Sequence, residues 1–123
     1  CRAAREVRYL ESPGARVPLG VIRDAAYEAR TVNLSPGDVV VIFTDGVPEA
    51  RSPAGELYGY DAPRDLLARL DTSGVGAAAI MDAIVTGVHR FCGGGRLSDD
   101  LAVVVIKATG AASRQAAGHG AEE

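Results

Sequence analysis

The stretch that decides the fold runs from Gly37 to Asp61 and reads GDVVVIFTDGVPEARSPAGELYGYD. It opens with an apolar run, Val39 to Phe43, that shows no alternation between apolar and polar positions. Such a run predicts a strand over Val39–Thr44 that is covered on both faces. The residues that follow are Asp45 and Gly46. An acidic residue beside a glycine at the end of a buried strand is a candidate functional position.

Further strands are predicted on both sides of this stretch. Leu101–Ile106, LAVVVI, is a second uninterrupted apolar run and again indicates a strand covered on both faces. Weaker patterns predict a short strand at Glu6–Leu10, an edge segment at Val17–Ile22 and a strand at Tyr27–Leu34. The intervening Ser-Pro-Gly-Asp, residues 35–38, has the residues that a type II turn prefers. This turn is short enough to pair Tyr27–Leu34 with the central strand as an antiparallel hairpin.

Two helices are predicted between the two apolar strands. Asp61 is suited to cap the first helix, because Pro63 is tolerated in a first turn. Its buried stripe is formed by Leu66, Leu67 and Leu70. The second helix is predicted over Ala77–Phe91, because apolar residues recur there at helical spacing. Three glycines, residues 93–95, follow it and are typical of a helix end.

Composition limits the classes of function. The chain has 123 residues, 47% of them hydrophobic, and a net charge of -3, which excludes the basic surface of a nucleic-acid-binding domain. No apolar run reaches the length of a membrane span. Cys1 and Cys92 form no disulfide or metal-binding pattern, so a cytoplasmic, reducing location is expected. The opening at Cys1 indicates a fragment of a longer chain, and residues 110–123 are expected to form a disordered tail.

Three carboxylates are expected to converge at one end of the sheet. Asp45 follows the first apolar strand, whereas Asp99 and Asp100 precede the second. If those strands are antiparallel, both ends lie at the same edge. Carboxylates at close range oppose each other's ionisation unless a counter-charge is present. A hard divalent cation with oxygen ligands, Mg²⁺ or Mn²⁺, supplies that charge, and Gly46 would allow a sharp turn and leave room for metal-bound water.

Simpler interpretations of the same residues stay open at this point. Asp-Gly is a common turn dipeptide, and residues 98–100 also suit a solvated loop. Arg23 and Arg51 are candidates to contact phosphate, because arginine is a common phosphate-binding residue. A solvated surface position is the simpler explanation for both. His89 is better explained as a helix-end residue than as a general acid.

The sequences of three segments resemble those of a known family. The strings PLGVI, LSPGDVVVIFTDGVPEARSPAGELYG and SDDLAVVVI occur in this order. Together they resemble the C-terminal half of the metal-dependent Ser/Thr protein phosphatases of the PPM superfamily, in the sporulation stage II E (SpoIIE) branch. The resemblance covers about Arg5 to Lys107, and it makes residues 1–109 the C-terminal part of such a domain.

The resemblance implies an α+β fold, a two-sheet β-sandwich with flanking helices, and a two-metal centre at one end of the sandwich. Asp45 matches the metal-ligating Asp of the TDG motif, and Gly46 matches its glycine. Asp99 matches the metal ligand of the SDD motif, and Asp100 the residue beside it. The expected reaction is hydrolysis of phosphoserine or phosphothreonine by metal-activated water, with an anti-anti-sigma-type protein as the substrate typical of this branch.

Departures from the family pattern leave two rival functions. Pro48 and Ala102 stand where the family usually has Thr, although neither is a ligand position. The family's first-half motifs, which supply further metal ligands, are absent from these 123 residues. One rival is therefore a catalytically inactive phosphatase-like domain that serves as a regulatory or binding module. The other is a plain α/β interaction domain whose turns match by coincidence.

Overall fold

The chain folds into two strands and two helices. The computed structural model describes residues 6–11, 13–14, 17–95, 97 and 100–110. In chain order the elements are β1 (Val39–Phe43), α1 (Asp61–Arg69), α2 (Ala77–Phe91) and β2 (Val103–Lys107). This arrangement confirms the α+β class. A second sheet is not seen within these residues, so the two-sheet sandwich stays a prediction.

The two strands pair with each other in the predicted antiparallel sense. Their register places Val39 opposite Lys107 and Phe43 opposite Val103. β2 begins two residues later than the sequence pattern predicts, because Leu101 and the residue after it lead into the strand without forming part of it. The pairing brings the end of β1 and the start of β2 to the same edge of the sheet.

The two faces of the sheet differ in how well they are covered. α2 packs against β2 on one face. On the other face Ile42, Val104 and Ile106 are 56%, 53% and 47% exposed. The prediction that both strands are covered on both faces is therefore wrong for the described chain, because the helices lie on one side only. The apolar runs contain more hydrophobic surface than the two helices cover.

We expect this exposed face to make the isolated chain self-associate and melt over a broad range. An apolar patch beside a free strand edge favours association between copies. Sedimentation velocity of the 123-residue chain should show oligomers whose fraction rises with concentration. Replacing Ile42 and Ile106 by Thr retains strand propensity and should reduce the oligomer fraction. A monodisperse wild-type monomer with a sharp, reversible melt would contradict this expectation.

The best-buried residues lie after β1 rather than within it. Val47 and Ala50, in the loop that follows Asp45 and Gly46, are almost fully buried against Val88 and Cys92. Phe43, Tyr58 and three leucine and valine side chains near the start of β2 pack around this cluster. Cys92 is thus part of the core. Because the loop forms part of the core, its conformation is fixed by packing.

The helices agree closely with the sequence pattern. α2 has the predicted bounds, and Ile80, Ile84 and Val88 are its buried residues. α1 begins at Asp61, so this residue is the first of the helix, and Tyr60 occupies the cap position without a side-chain cap. The prediction that Asp61 is the cap is therefore wrong by one residue. α1 packs on α2 and not on the sheet.

Lys107 connects the end of β2 to the loop between the helices. It lies on the helix-covered face, and its ammonium group donates hydrogen bonds to the carbonyl oxygens of Thr72 and Val75, at 2.8 and 2.5 Å. These bonds satisfy backbone acceptors that follow α1 and precede α2. Neither helix of the described chain has the length and apolar character that a membrane crossing requires.

The predicted N-terminal strands do not form. Glu6–Leu10 and Tyr27–Leu34 are irregular, with Tyr27 making a single bridge to Gly14, and Val17–Ile22 contains turns. The type II turn itself is present, because Asp38 donates to Ser35 and Gly37 has a φ of 93°. The hairpin is absent: among the described strands β1 pairs with β2, and Tyr27–Leu34 forms no ladder with the other edge of β1. The large apolar residues of Tyr27–Leu34 are exposed, so this segment is not docked on the sheet.

Candidate functional site

Asp45 lies in a tight turn directly after β1. The N–H of Val47 donates to the carbonyl oxygen of Thr44 at 3.1 Å, and that of Glu49 donates to the carbonyl oxygen of Asp45 at 2.9 Å. The turn buries Gly46 and Val47 and leaves Asp45 exposed. A rigid, core-packed turn thus presents one carboxylate at the end of the sheet.

The rest of the loop folds back as an irregular ribbon. Tyr58 donates its N–H to the carbonyl oxygen of Ala50 at 2.8 Å, and Gly59 donates to that of Pro48 at 2.9 Å. At the tip, Arg51 donates to the carbonyl oxygen of Gly55 at 3.0 Å. Arg51 is therefore tied into its own loop, which favours a structural role over phosphate binding. Proline is compatible with position 48, because this residue is buried and accepts a hydrogen bond through its carbonyl oxygen.

Asp100 lies against the same turn through its backbone. The hydroxyl of Thr44 donates to the carbonyl oxygen of Asp100 at 3.3 Å and accepts the N–H of Ala102 at 3.0 Å. A Cβ atom on Gly46 would lie 3.0 Å from the carbonyl carbon of Asp100 and closer still to its oxygen. The segments that carry Asp45 and Asp100 are thus in direct backbone contact.

These contacts show where the structure places the predicted site residues. Asp45 and Asp100 are both exposed and belong to adjacent segments at one end of the sheet, as the antiparallel arrangement requires. Asp99 and the preceding Ser98 lie outside the described residues. Gly46 has a role that the sequence pattern did not reveal, because the space above its Cα is filled by the Asp100 peptide. Ala102 uses only its backbone here, so a threonine side chain is not needed for this pairing.

The donor chemistry fits part of a site for a hard divalent cation. Carboxylate oxygens are the ligands that Mg²⁺ and Mn²⁺ prefer. Asp45 and Asp100 supply them at one edge, but within the described ranges no group of three His, Cys, Asp or Glu side chains is placed to hold a metal ion. Residues beyond this set would have to complete the coordination.

Aromatic contacts support the end of β1 and were not expected from the sequence. Tyr9 packs edge-to-face on Phe43 and on Tyr60, with ring centroids 6.4 and 5.8 Å apart. Its hydroxyl donates to the carbonyl oxygen of Tyr60 at 2.5 Å. Burial raises the pKa of Tyr9 above its ordinary value, and the nearby Arg64 opposes the rise. The sequence contains only six aromatic residues, four Tyr and two Phe. Most of them form ring pairs in the structure, so their scarcity was the one signal for these contacts.

A groove of about 820 Å³ runs beside the acidic edge, between α2 and the segment that leads into β2. Its walls include Met81, Val85 and His89 from α2, together with Asp100. Asp45 is not one of its lining residues, so the groove adjoins the carboxylate edge without containing it. His89 is exposed in the last turn of α2, which agrees with its interpretation as a helix-end residue. Arg23 is exposed in a turn, which agrees with a solvated surface position.

Comparison with known proteins adds two findings. The chain matches the family model described as Stage II sporulation protein E (SpoIIE) over residues 1–109. It is also similar to Protein IcfG of Synechocystis sp. (strain ATCC 27184 / PCC 6803 / Kazusa), with 26% identity over 97 residues. That match covers 79% of this chain and 14% of the relative, so the chain spans a small part of the relative's length. No solved structure matches the chain.

Proposed function

This chain belongs to the SpoIIE family, a PPM-type phosphatase family, and from that premise we propose that the full-length protein is a metal-dependent protein serine/threonine phosphatase. The observation that carries the proposal is the antiparallel pairing of β1 and β2, which brings Asp45 and Asp100 to one end of the sheet. Residues 1–109 are proposed to form the C-terminal part of the phosphatase domain, within the two-sheet sandwich of the family. The exposed apolar face of the sheet supports this, because a second sheet would cover it.

Asp45, Asp99 and Asp100 are proposed as the metal ligands of this chain, with Gly46 shaping the turn between them. When bound, Mg²⁺ or Mn²⁺ would supply the means to activate water and to offset the negative charge of the phosphoryl group. The turn after β1 keeps Asp45 in place, because it is closed by backbone hydrogen bonds and anchored by Val47 in the core. The nucleophile is proposed to be water activated by the metal, as in the phosphatase family that the chain resembles.

The proposed substrate is a phosphorylated protein of bacterial signalling, of the anti-anti-sigma type. The family supports this class, and the net charge of -3 gives no basis for nucleic acid as a partner. A cytoplasmic location is part of the proposal and is supported by Cys92, which is a buried free thiol.

The test is a phosphate-release assay with the full-length protein and a phosphoserine protein substrate. We expect release in the presence of Mn²⁺ or Mg²⁺, loss of release on addition of a chelator, and recovery when the metal is restored. The isolated 123-residue chain should show little turnover, because it supplies only part of the ligand set. Release that a chelator leaves unchanged would overturn the proposal. Binding of the phosphoprotein without release would instead favour the regulatory-module alternative.

A further inference from the structure

Thr44 joins the two acidic segments more closely than the strand pairing alone requires. The ladder between β1 and β2 ends with Phe43 opposite Val103. Beyond that pair, the N–H of Thr44 donates to the carbonyl oxygen of Ala102 at 3.1 Å. The Thr44 hydroxyl then accepts from the Ala102 N–H and donates to the Asp100 carbonyl oxygen. One residue therefore makes three hydrogen bonds to the segment that follows Asp99.

The hydroxyl is used in both of its hydrogen-bonding capacities. A threonine hydroxyl has one donor and two acceptor positions, and here the donor faces Asp100 while an acceptor faces Ala102. Valine has the same shape but can make neither bond. Serine can make both bonds but lacks the methyl group. The two substitutions therefore separate the hydroxyl from the rest of the side chain.

The Asp100 peptide is held from two directions. Its carbonyl oxygen receives the Thr44 hydroxyl, and it also lies directly over Gly46, where a Cβ atom would collide with it. Asp45 stands between Thr44 and Gly46 in the chain. The residues on either side of one carboxylate thus hold the backbone of the other.

We propose that Thr44 is a positioning residue, whose hydroxyl fixes the distance between the segments that carry Asp45 and Asp100 and so sets the affinity of the site for a divalent cation. This inference rests on the proposed function, because it assigns those carboxylates to a metal site. Partners that orient metal ligands typically change metal affinity by about 10- to 100-fold when they are removed. Thr44 is itself exposed. Loss of its hydroxyl should therefore change the spacing of the carboxylates more than it changes the stability of the fold.

The experiment measures Mn²⁺ binding to the full-length protein by calorimetry, without substrate, and the Mn²⁺ concentration that gives half-maximal phosphate release. Thr44→Val should weaken Mn²⁺ binding by about tenfold and raise the activating concentration in parallel. Thr44→Ser should stay close to wild type. Thr86→Val is the matched control, because it makes the same change at an exposed position of α2 outside the groove lining. Amide exchange reports on the bond directly, and the Ala102 N–H should exchange faster in Thr44→Val only.

The outcomes separate this inference from the proposed function. Asp45→Asn is measured in the same series. Unchanged Mn²⁺ binding in Asp45→Asn would overturn the proposed metal site and the inference with it. Loss of binding in Asp45→Asn with wild-type affinity in Thr44→Val would overturn the role of Thr44 alone. Equal losses in Thr44→Ser and Thr44→Val would also overturn it, because the methyl group and not the hydroxyl would then be responsible. If Thr44→Val fails to fold, Thr44→Ala takes its place, because Thr44→Ala and Thr44→Ser differ only by the hydroxyl. Equal Mn²⁺ affinity in these two variants would then overturn the role of the hydroxyl.

Discussion

Asp45→Asn is expected to lower Mn²⁺- or Mg²⁺-dependent phosphate release by the full-length protein by more than about 100-fold. The substitution keeps the shape of the side chain and removes the ligand charge. Groups that only orient metal ligands already change affinity or activity by about 10- to 100-fold, so loss of a ligand should reach at least the upper end. The measurement is the initial rate of phosphate release from a phosphoserine protein over a range of Mn²⁺ concentrations.

The fold should survive this change. Asp45 is exposed, and the bond that closes its turn uses its backbone carbonyl, which accepts the Glu49 N–H. Surface substitutions of this kind usually alter the free energy of unfolding by less than about 0.5 kcal/mol. Loss of activity with an unchanged melting temperature would therefore point to the metal site. Unfolding of the variant would contradict this reading of the turn.

Other acidic residues provide the comparison. Asp99→Asn is expected to match Asp45→Asn, and Asp100→Asn is expected to have a smaller effect, because Asp99 is the better match to the family's ligand. Asp82→Asn is the control, since this residue is exposed on α2. Full activity in Asp45→Asn would refute the metal-site assignment and leave the binding-module alternative in front.

The parts of the fold that the sequence predicted are those with strong local patterns. α2 could be bounded correctly because its apolar positions recur at helical spacing and glycines follow it. The pairing of β1 with β2 could be anticipated because their acidic ends had to converge. Tyr27–Leu34 was assigned wrongly because an alternation confined to half of the segment is a weak strand signal, and the segment is irregular in the structure. Covering of both sheet faces was also overestimated, since an apolar run does not show which elements are present to cover it.

The sequence pointed to the residue types of the candidate site but not to the contacts that hold its two segments together. Asp45 and Asp100 could be named because carboxylates at strand ends carry a chemical signal. The role of the Thr44 hydroxyl could not be predicted, because its partners are backbone groups of residues far along the chain. The burial of Val47 within the loop was likewise hidden, since a short loop sequence has no periodicity from which an inward face can be read. Contacts made through backbone atoms leave the weakest trace in a sequence.

Gly46→Ala is expected to destabilise the domain by about 3 kcal/mol and to weaken metal binding at the same time. The reason is space and not backbone freedom, because Gly46 is not among the glycines with a positive φ. Its added methyl group would meet the carbonyl group of Asp100 and, at 3.3 Å, the Cα of Leu101. These obstacles are backbone atoms, which cannot rotate away as the end of a flexible side chain can. To admit the methyl group, the Asp100 segment would have to move away from Asp45.

The measurement combines urea unfolding with Mn²⁺ calorimetry on the full-length protein. Gly76→Ala is the matched control, because Gly76 is the N-cap residue that precedes α2, has an ordinary φ of -80°, and a Cβ atom there would meet nothing within 4 Å. Its small loss as a helix cap is offset by the reduced entropy of the unfolded chain, so little net change is expected. Weakened metal binding with unchanged stability in Gly46→Ala would show instead that the glycine clears room for a metal-bound water, as first inferred from the sequence. Wild-type stability and wild-type affinity together would show that the close approach of the Asp100 peptide has no functional weight.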